Sequence, residues 1–298
     1  GTEKISKGGP SNRIEILNHG LNLKNVNSCV NFNVPVGSND YQIYHVFNSW
    51  PLNSALDQIK AAKLSGKKVV FSPITLNLTY KPIFEKILPN ILLNCDESTL
   101  LAEVNKLKEI TPVQNFSIDS DDIETIEGYQ GHFKILKDCV HLSDGVIFLS
   151  EYEKHLLTKI GASKKNSKVI RNTTDLQIME KGDSTLFKKK FGLTRYILCV
   201  GRIETRKNQA VLALASKTLS LPIVYIGHVG DNSYFELLKL HSNNEFIHID
   251  RIENRELLAS AYKGADALVL NSWTEGASLT ALEAGAAGTP LILSNMSS

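Results

Sequence analysis

The second half of the chain repeats one pattern: a short apolar run, a loop, then a helix-length segment. Tyr196–Val200 ends in Gly201 and leads to a helical stretch at Asn208–Leu219. Leu221–Ile226 and Gly227 follow, then a helix around Ser233–His241 and the run Glu245–Ile249. A helix at Asn254–Lys263 leads to Ala267–Leu270, and one at about Ala277–Ala287 leads to Pro290–Leu293. Continuous apolar runs are the mark of strands buried on both faces, and the intervening segments have the length of right-handed crossovers. The pattern predicts a doubly wound, parallel α/β domain.

The first half follows the same grammar less regularly. Ile14–Leu23 reads as an amphipathic helix after Gly8, Gly9 and Pro10. Strands are expected at Ser28–Phe32, Gln42–Phe47, Lys68–Phe71 and Gly145–Leu149, with helices at Asn53–Leu64 and Glu151–Ile160. Tyr80–Gln130 is polar and longer than a simple crossover, as insertions that shape a binding mouth are. A polar junction at 176–193 suggests two domains, 1–180 and 181–298. The expected fold class is therefore α/β, with two doubly wound Rossmann-like domains facing across a cleft.

Composition narrows the function. Thirty-three Lys and Arg nearly balance 31 Asp and Glu, for a net charge of +2, which speaks against a strongly basic nucleic-acid binder. Apolar residues reach 42%, enough for a sizeable core. No apolar run approaches the ~20 residues of a membrane span, and residues 1–13 lack the apolar core of a signal peptide. Cys29, Cys95, Cys139 and Cys199 are scattered without zinc-ligand spacing, so a reducing, cytoplasmic setting is the simplest reading.

Two loops carry the chemistry. In Asn271–Glu283 a strand ends, a loop presents Glu275 and Gly276, and a helix opens. The amides of Gly276, Ala277, Ser278 and Leu279 would lie where a helix start attracts a diphosphate. Gly276, lacking Cβ, permits close approach. The plainer alternative is that Glu275 is only a favourable helix-start carboxylate. In the loop after the domain's first strand, Gly201-Arg202 and Lys207 stand beyond a strand's carboxyl end, where α/β sheets bind ligands. Arg202 and Lys207 there suit a phosphate, although a cationic loop alone is more often a solvated surface.

Gly201-Arg202 with Lys207, then Glu275-x7-Glu283 continued to Pro290, resembles the retaining glycosyltransferases of the GT-B fold, family 4. The resemblance is specific from about Tyr196 to Leu293. It is weaker before that, at Gly8-Gly9, Gln42–Asn48, Gly145–Tyr152 and Val169–Asp175. It implies transfer of a sugar from a nucleotide-diphosphate donor, a UDP- or GDP-sugar, to a hydroxyl of a glycan or lipid-linked acceptor. It further implies retention of anomeric configuration and a role in polysaccharide biosynthesis. Arg202 and Lys207 would hold the diphosphate, Glu283 the ribose, and Glu275 would orient the sugar. Gly8, Gly9, Asn48 and Ser72 would line the acceptor side. No cofactor or divalent ion is implied, because the cations and amides neutralise the leaving group. Ser72-Pro-Ile-Thr75 stands where the family often has a His, which leaves the sugar unassigned. His45 reads as a core histidine.

Asp119-Ser-Asp121 matches a metal-binding D-x-D pattern, but in its polar setting a solvated loop or helix cap is the better reading. Lys188–Lys190 is compatible with peripheral contact at the cytoplasmic face of a membrane, although three lysines more often make a solvated helix face. A nucleotide-sugar epimerase and a non-catalytic nucleotide-sugar-binding subunit are the alternatives. Only seven residues precede Gly8 and the last apolar run is followed almost at once by Ser298, so a longer enzyme, missing a first strand and later helices, is expected.

Overall fold

The computed structural model describes residues 9–31, 41–47, 52–78, 80–110, 131–243 and 245–295. The chain divides into two compact units. The first comprises residues 1–77, 117–173 and 298, and the second residues 78–116 and 174–297.

In the first unit, four parallel strands run in the order β1 (Ile43–Phe47), β2 (Lys68–Ser72), β3 (Gly145–Phe148), β4 (Ser167–Val169). Helix Leu52–Leu64 connects β1 to β2 and buries Leu56, Ile59 and Ala62, while its polar positions face out. Asp144 ties β2 to β3: it accepts from the Val69 amide (2.8 Å) and from Lys63 Nζ (2.9 Å). The N-terminal helix spans Gly9–Leu23, longer than expected. The strand expected at Ser28–Phe32 does not form over its described residues, 28–31. Ser28 instead folds back onto that helix, its hydroxyl donating to Asn18 Oδ1 (2.9 Å) and its carbonyl accepting from Asn22 Nδ2 (3.1 Å). Local side-chain bonds of this kind compete with a sheet ladder.

The second unit holds a five-stranded parallel sheet, β7-β6-β5-β8-β9, with β5 Ile197–Val200, β6 Ile223–Ile226, β7 Ile247–Ile249, β8 Ala267–Leu270 and β9 Leu291–Leu293. Strand order reverses at β5, as in a doubly wound sheet. Successive side chains point to opposite faces. Leu198, Val224 and Leu268 therefore pack with Tyr262 and Ala284 in one core, while Cys199, Tyr225 and Val269 pack in the other. Burial pushes the Cys199 thiol up to about 12, so it serves as a small hydrophobe.

Two stretches differ from the sequence reading. The polar junction at 176–193 folds as two helices, Leu176–Glu180 and Ser184–Phe191, capped by Asp175 and Asp183. Met179 and Phe187 are fully buried in the second unit's core, and an apolar residue per turn suffices to dock a short, otherwise polar helix. Lys188–Lys190 lie in the last turn of the second helix, where the dipole favours cations. The division also differs from a single cut near 180. The segment from Tyr80 forms helices Leu88–Asn94 and Glu97–Ile110, entered by a π-turn at Ile83–Ile87. Its Phe84, Leu88, Leu92 and Leu107 share a core with Tyr225, Leu237 and Leu238, and His241 Nε2 donates to the Leu92 carbonyl (2.8 Å). This segment belongs by contact to the second unit.

Candidate functional site

The carboxyl edge of the second sheet is built around glycines. A Cβ on Gly227, at the end of β6, would stand 2.1 Å from the Gly201 carbonyl oxygen at the end of β5. Only glycine lets these strand ends approach so closely. A Cβ on Gly230 would meet the Arg202 Cδ at 2.6 Å, so this glycine makes room for the Arg202 stem. The Arg202 side chain is 48% exposed, and Glu204 lies 3.8 Å from its guanidinium.

Lys207 and Glu275 meet as a largely but not fully buried ion pair, their side chains 16% and 12% exposed. Ser272 Oγ donates to Glu275 Oε1 (2.7 Å), and the Arg206 guanidinium stands 3.7 Å from Oε2. Burial alone would raise the Glu275 carboxyl; Lys207, then Arg206, outweigh it and hold the group below its ordinary range. A short helical turn, Thr205–Lys207, presents these cations. Arg206 also donates to the Thr274 carbonyl (2.8 Å) and to Glu204 Oε1 (2.6 Å), and the Trp273 amide donates back to the Arg206 carbonyl (2.9 Å). The two loops singled out by sequence are thus one structure.

The sequence reading passed over Arg206. Its only signal is a third basic residue between Arg202 and Lys207, and nothing in the spacing says it would turn toward Thr274. Asn208 and Asn271 lock the same junction, each side-chain amide donating to the other's backbone carbonyl (3.1 and 2.8 Å). The acceptor oxygens of both, with Gln209 Oε1 and Trp273 Nε1, are buried without a protein partner. Buried groups left in that state mark ordered water or function.

Helix Leu279–Ala286 opens behind Glu275. Ser278 is its N-cap and accepts from the Ala281 amide (3.3 Å). Gly276 and Ala277 therefore lie in the approach to the helix rather than inside it. Glu283 is buried in this helix, where Oε1 accepts from Arg255 (2.8 Å) and Oε2 from the Tyr262 hydroxyl (2.8 Å). Burial, then Glu283 itself, push the Tyr262 hydroxyl well above its ordinary value, so it remains a donor. A carboxylate has about four lone-pair sites, so Glu283 keeps capacity to accept more.

In the first unit, Ser72 ends β2 fully buried, 2.9 Å from His45 Nε2 across the β1–β2 ladder. Burial, then the Arg13 charge, lower His45 to about 4, which keeps the ring neutral. Gly9 is the first residue of the N-terminal helix. Gly8, Asn48 and the Asp119–Asp121 triplet lie outside the described residues. A constellation that sequence reasoning missed stands beside Ser72. Glu153 is buried, and its carboxylate accepts from the amides of Thr75 and Leu149, each at 2.6 Å. The pattern Ser150-x-x-Glu153 could have hinted at a helix start, and Ser150 does cap it.

Residues 183–298 match the model of the family described as glycosyl transferases group 1. The D-inositol 3-phosphate glycosyltransferase of Mycobacteroides abscessus is 27% identical over 167 residues, 52% of this chain and 38% of that protein. An uncharacterised 41.2 kDa protein from the cps region of Klebsiella pneumoniae is 28% identical over 163 residues, 52% of this chain and 44% of that protein. The chain spans less than half the length of these curated relatives. Among solved structures, HepE of Anabaena in complex with UDP-glucose superposes with a TM-score of 0.58 at 13% identity, covering 85% of this chain and 59% of that one. Sucrose-phosphate synthase of Thermosynechococcus elongatus gives a TM-score of 0.58 at 16% identity, covering 85% and 56%. The fold is that of the GT-B glycosyltransferases, and residues 183–298 are similar to the group 1 glycosyl transferases. Among the described residues no helix is long and apolar enough to cross a membrane.

Proposed function

We propose that this chain, whose residues 183–298 match the group 1 glycosyl transferase model, transfers a sugar from a nucleotide-diphosphate donor to an acceptor hydroxyl with retention of configuration. The observation that carries the reading is the charge arrangement at the carboxyl edge of β5 and β8. There the largely buried Lys207–Glu275 pair joins the loop after β8 to the loop after β5, which also carries the half-exposed Arg202.

In this reading Arg202 grips the diphosphate with its planar guanidinium. Lys207 gives one donor to Glu275 and offers its remaining two to a phosphate oxygen. The amides from Gly276 to Leu279 add the positive end of a helix. Glu275, held ionised, accepts from hydroxyls of the donor sugar and orients it. Glu283 accepts from the ribose with the lone pairs that Arg255 and Tyr262 leave. As the glycosidic bond breaks, negative charge grows on the leaving diphosphate, and cations and dipoles fixed in advance stabilise it without reorganising. The chemistry then needs no divalent ion. Retention follows from the family resemblance, with the leaving phosphate taking the acceptor proton on the same face.

Gly8, Gly9, Asn48 and Ser72 are assigned to the acceptor side, for a polyhydroxylated glycan or lipid-linked acceptor. Relatives named for D-inositol 3-phosphate or lying in a cps region support a polyol or polysaccharide setting. A cytoplasmic protein working at the membrane's inner face fits such an acceptor.

A melting-temperature screen of UDP-, GDP- and ADP-sugars tests the donor, because a ligand that binds only the folded state raises stability. One nucleotide class should stabilise the chain, and transfer to an alcohol should follow. Conversion of the donor to its epimer without acceptor would replace this reading with an epimerase. Binding with neither hydrolysis nor transfer would make the chain a non-catalytic subunit.

A further inference from the structure

In the first unit, β2 ends in Ser72 and the chain continues through Pro73, Ile74 and Thr75 to Asn77. Ile74 adopts φ 53°, in the left-handed region. A β-branched residue avoids that region, so something outside the loop must hold it there. The holding group is Glu153, in the helix Glu151–Lys159 that follows β3. Its Oε1 accepts from the Thr75 amide and its Oε2 from the Leu149 amide, both at 2.6 Å. The Ile74 amide also bonds to it.

Ser150 already caps this helix by accepting from the Glu153 amide (3.0 Å). In a capping box the Glu would turn back to the N-cap amide; here it reaches instead to the loop after β2. Neighbouring polar groups are built to match. Tyr152 OH accepts from Asn77 Nδ2 (2.7 Å), pinning the far end of the loop to the same helix. The Thr75 hydroxyl is buried with no protein partner. The charged group that acts on Glu153 is Arg13 of the N-terminal helix, whose guanidinium bonds to Asn172 Oδ1 (3.0 Å) and whose charge also reaches His45.

We infer that Glu153 is a positioning residue: its carboxylate clamps the loop Ser72–Asn77 in the one conformation that shapes the acceptor side of the site. The loop stands at the carboxyl end of a parallel strand, where α/β sheets bind their ligands. The clamp itself follows from geometry alone, and only its acceptor-side consequence rests on the function proposed above. Glu153 does not touch the reacting atoms in this account. It acts through the backbone of Ile74 and Thr75.

The test has two arms. In the unsubstituted protein, the amides of Ile74, Thr75 and Leu149 should be protected from hydrogen exchange. Glu153→Gln keeps the side chain's shape but turns one acceptor oxygen into a donor facing an amide. It should raise exchange at Ile74 and Thr75 by roughly tenfold or more, as loss of charge-assisted bonds predicts. The melting-temperature shift given by UDP should not change. In transfer assays, KM for the acceptor should rise about fivefold or more while donor KM stays within about twofold, the pattern of a change confined to one substrate. Unprotected loop amides in the parent protein would overturn the clamp whatever the enzyme does. Faster loop exchange with an unchanged acceptor KM would overturn the acceptor-side role. Absence of any transferase turnover would count against the proposed function and leave the exchange arm standing.

Discussion

The buried Lys207–Glu275 pair gives a coupling energy that can be measured without any substrate. With the two side chains 16% and 12% exposed, Lys207→Met takes from the carboxylate its closest cation and leaves it with Ser272 and the more distant Arg206 among its supports. Breaking one partner of such a pair costs about 3 kcal/mol. Glu275→Gln strands Lys207 beside Arg206 and should cost about as much. Arg206 keeps its bond to Glu204 Oε1 (2.6 Å) in either case. The double variant removes both charges and should cost no more than about 2 kcal/mol, because replacing a whole buried pair is close to neutral. For a unit of this size each kcal/mol shifts the melting temperature by roughly 2–4 °C. Each single variant should then melt roughly 6–12 °C lower, with the double variant above both. Calorimetric unfolding of the four proteins in a double-mutant cycle makes the comparison. Additive losses, with coupling below about 0.5 kcal/mol, would refute the idea that this pair is one electrostatic unit.

Other perturbations have equally defined outcomes. His45, lowered to about 4, binds fewer protons folded than unfolded between its two values. Stability should therefore fall from about pH 6.5 to about pH 4, by at most roughly 3 kcal/mol, and level off below. His45→Gln should flatten that segment of the melting curve against pH; an unchanged slope would contradict the assignment. Gly227→Ala should unfold the second unit or prevent its expression, since its Cβ would sit 2.1 Å from a carbonyl oxygen. Soluble, normally melting protein would show that the strand ends can part. Transfer should persist in excess EDTA; strict loss restored by manganese would return attention to Asp119 and Asp121.

The second unit was legible because its signals are local and redundant. Strands β5, β6 and β8 are apolar runs largely buried in the sheet, helices Asn232–His241, Arg255–Gly264 and Leu279–Ala286 each have a side-chain cap, and the crossover lengths admit few topologies. Arg202, Lys207 and Glu275 were legible for a related reason: all three stand just past strand ends, a place defined by sequence alone. What escaped were relationships that depend on distant packing. Arg206 differs from its neighbours only in where it points. Helix Ser184–Phe191 looks like a polar linker until Phe187 is seen filling a core. Ser28–Phe32 has strand-like residues, but Ser28 bonds to Asn18 and Asn22 instead of to a neighbouring strand. Glu153 reads as half of a helix cap, and nothing in its spacing indicates a reach to Thr75.

At the centre of the proposed function stands Arg202, as the group through which the carboxyl edge of the second sheet would bind a nucleoside diphosphate. Titration calorimetry of the stabilising nucleotide against the parent protein and Arg202→Ala tests it most directly. Arg202 is half-exposed and its nearest carboxylate is 3.8 Å away, so its removal should leave the melting temperature within about 2 °C. Affinity for the diphosphate should fall about tenfold or more, the worth of a charge-assisted bidentate contact. Equal affinity in the two proteins would contradict the claim.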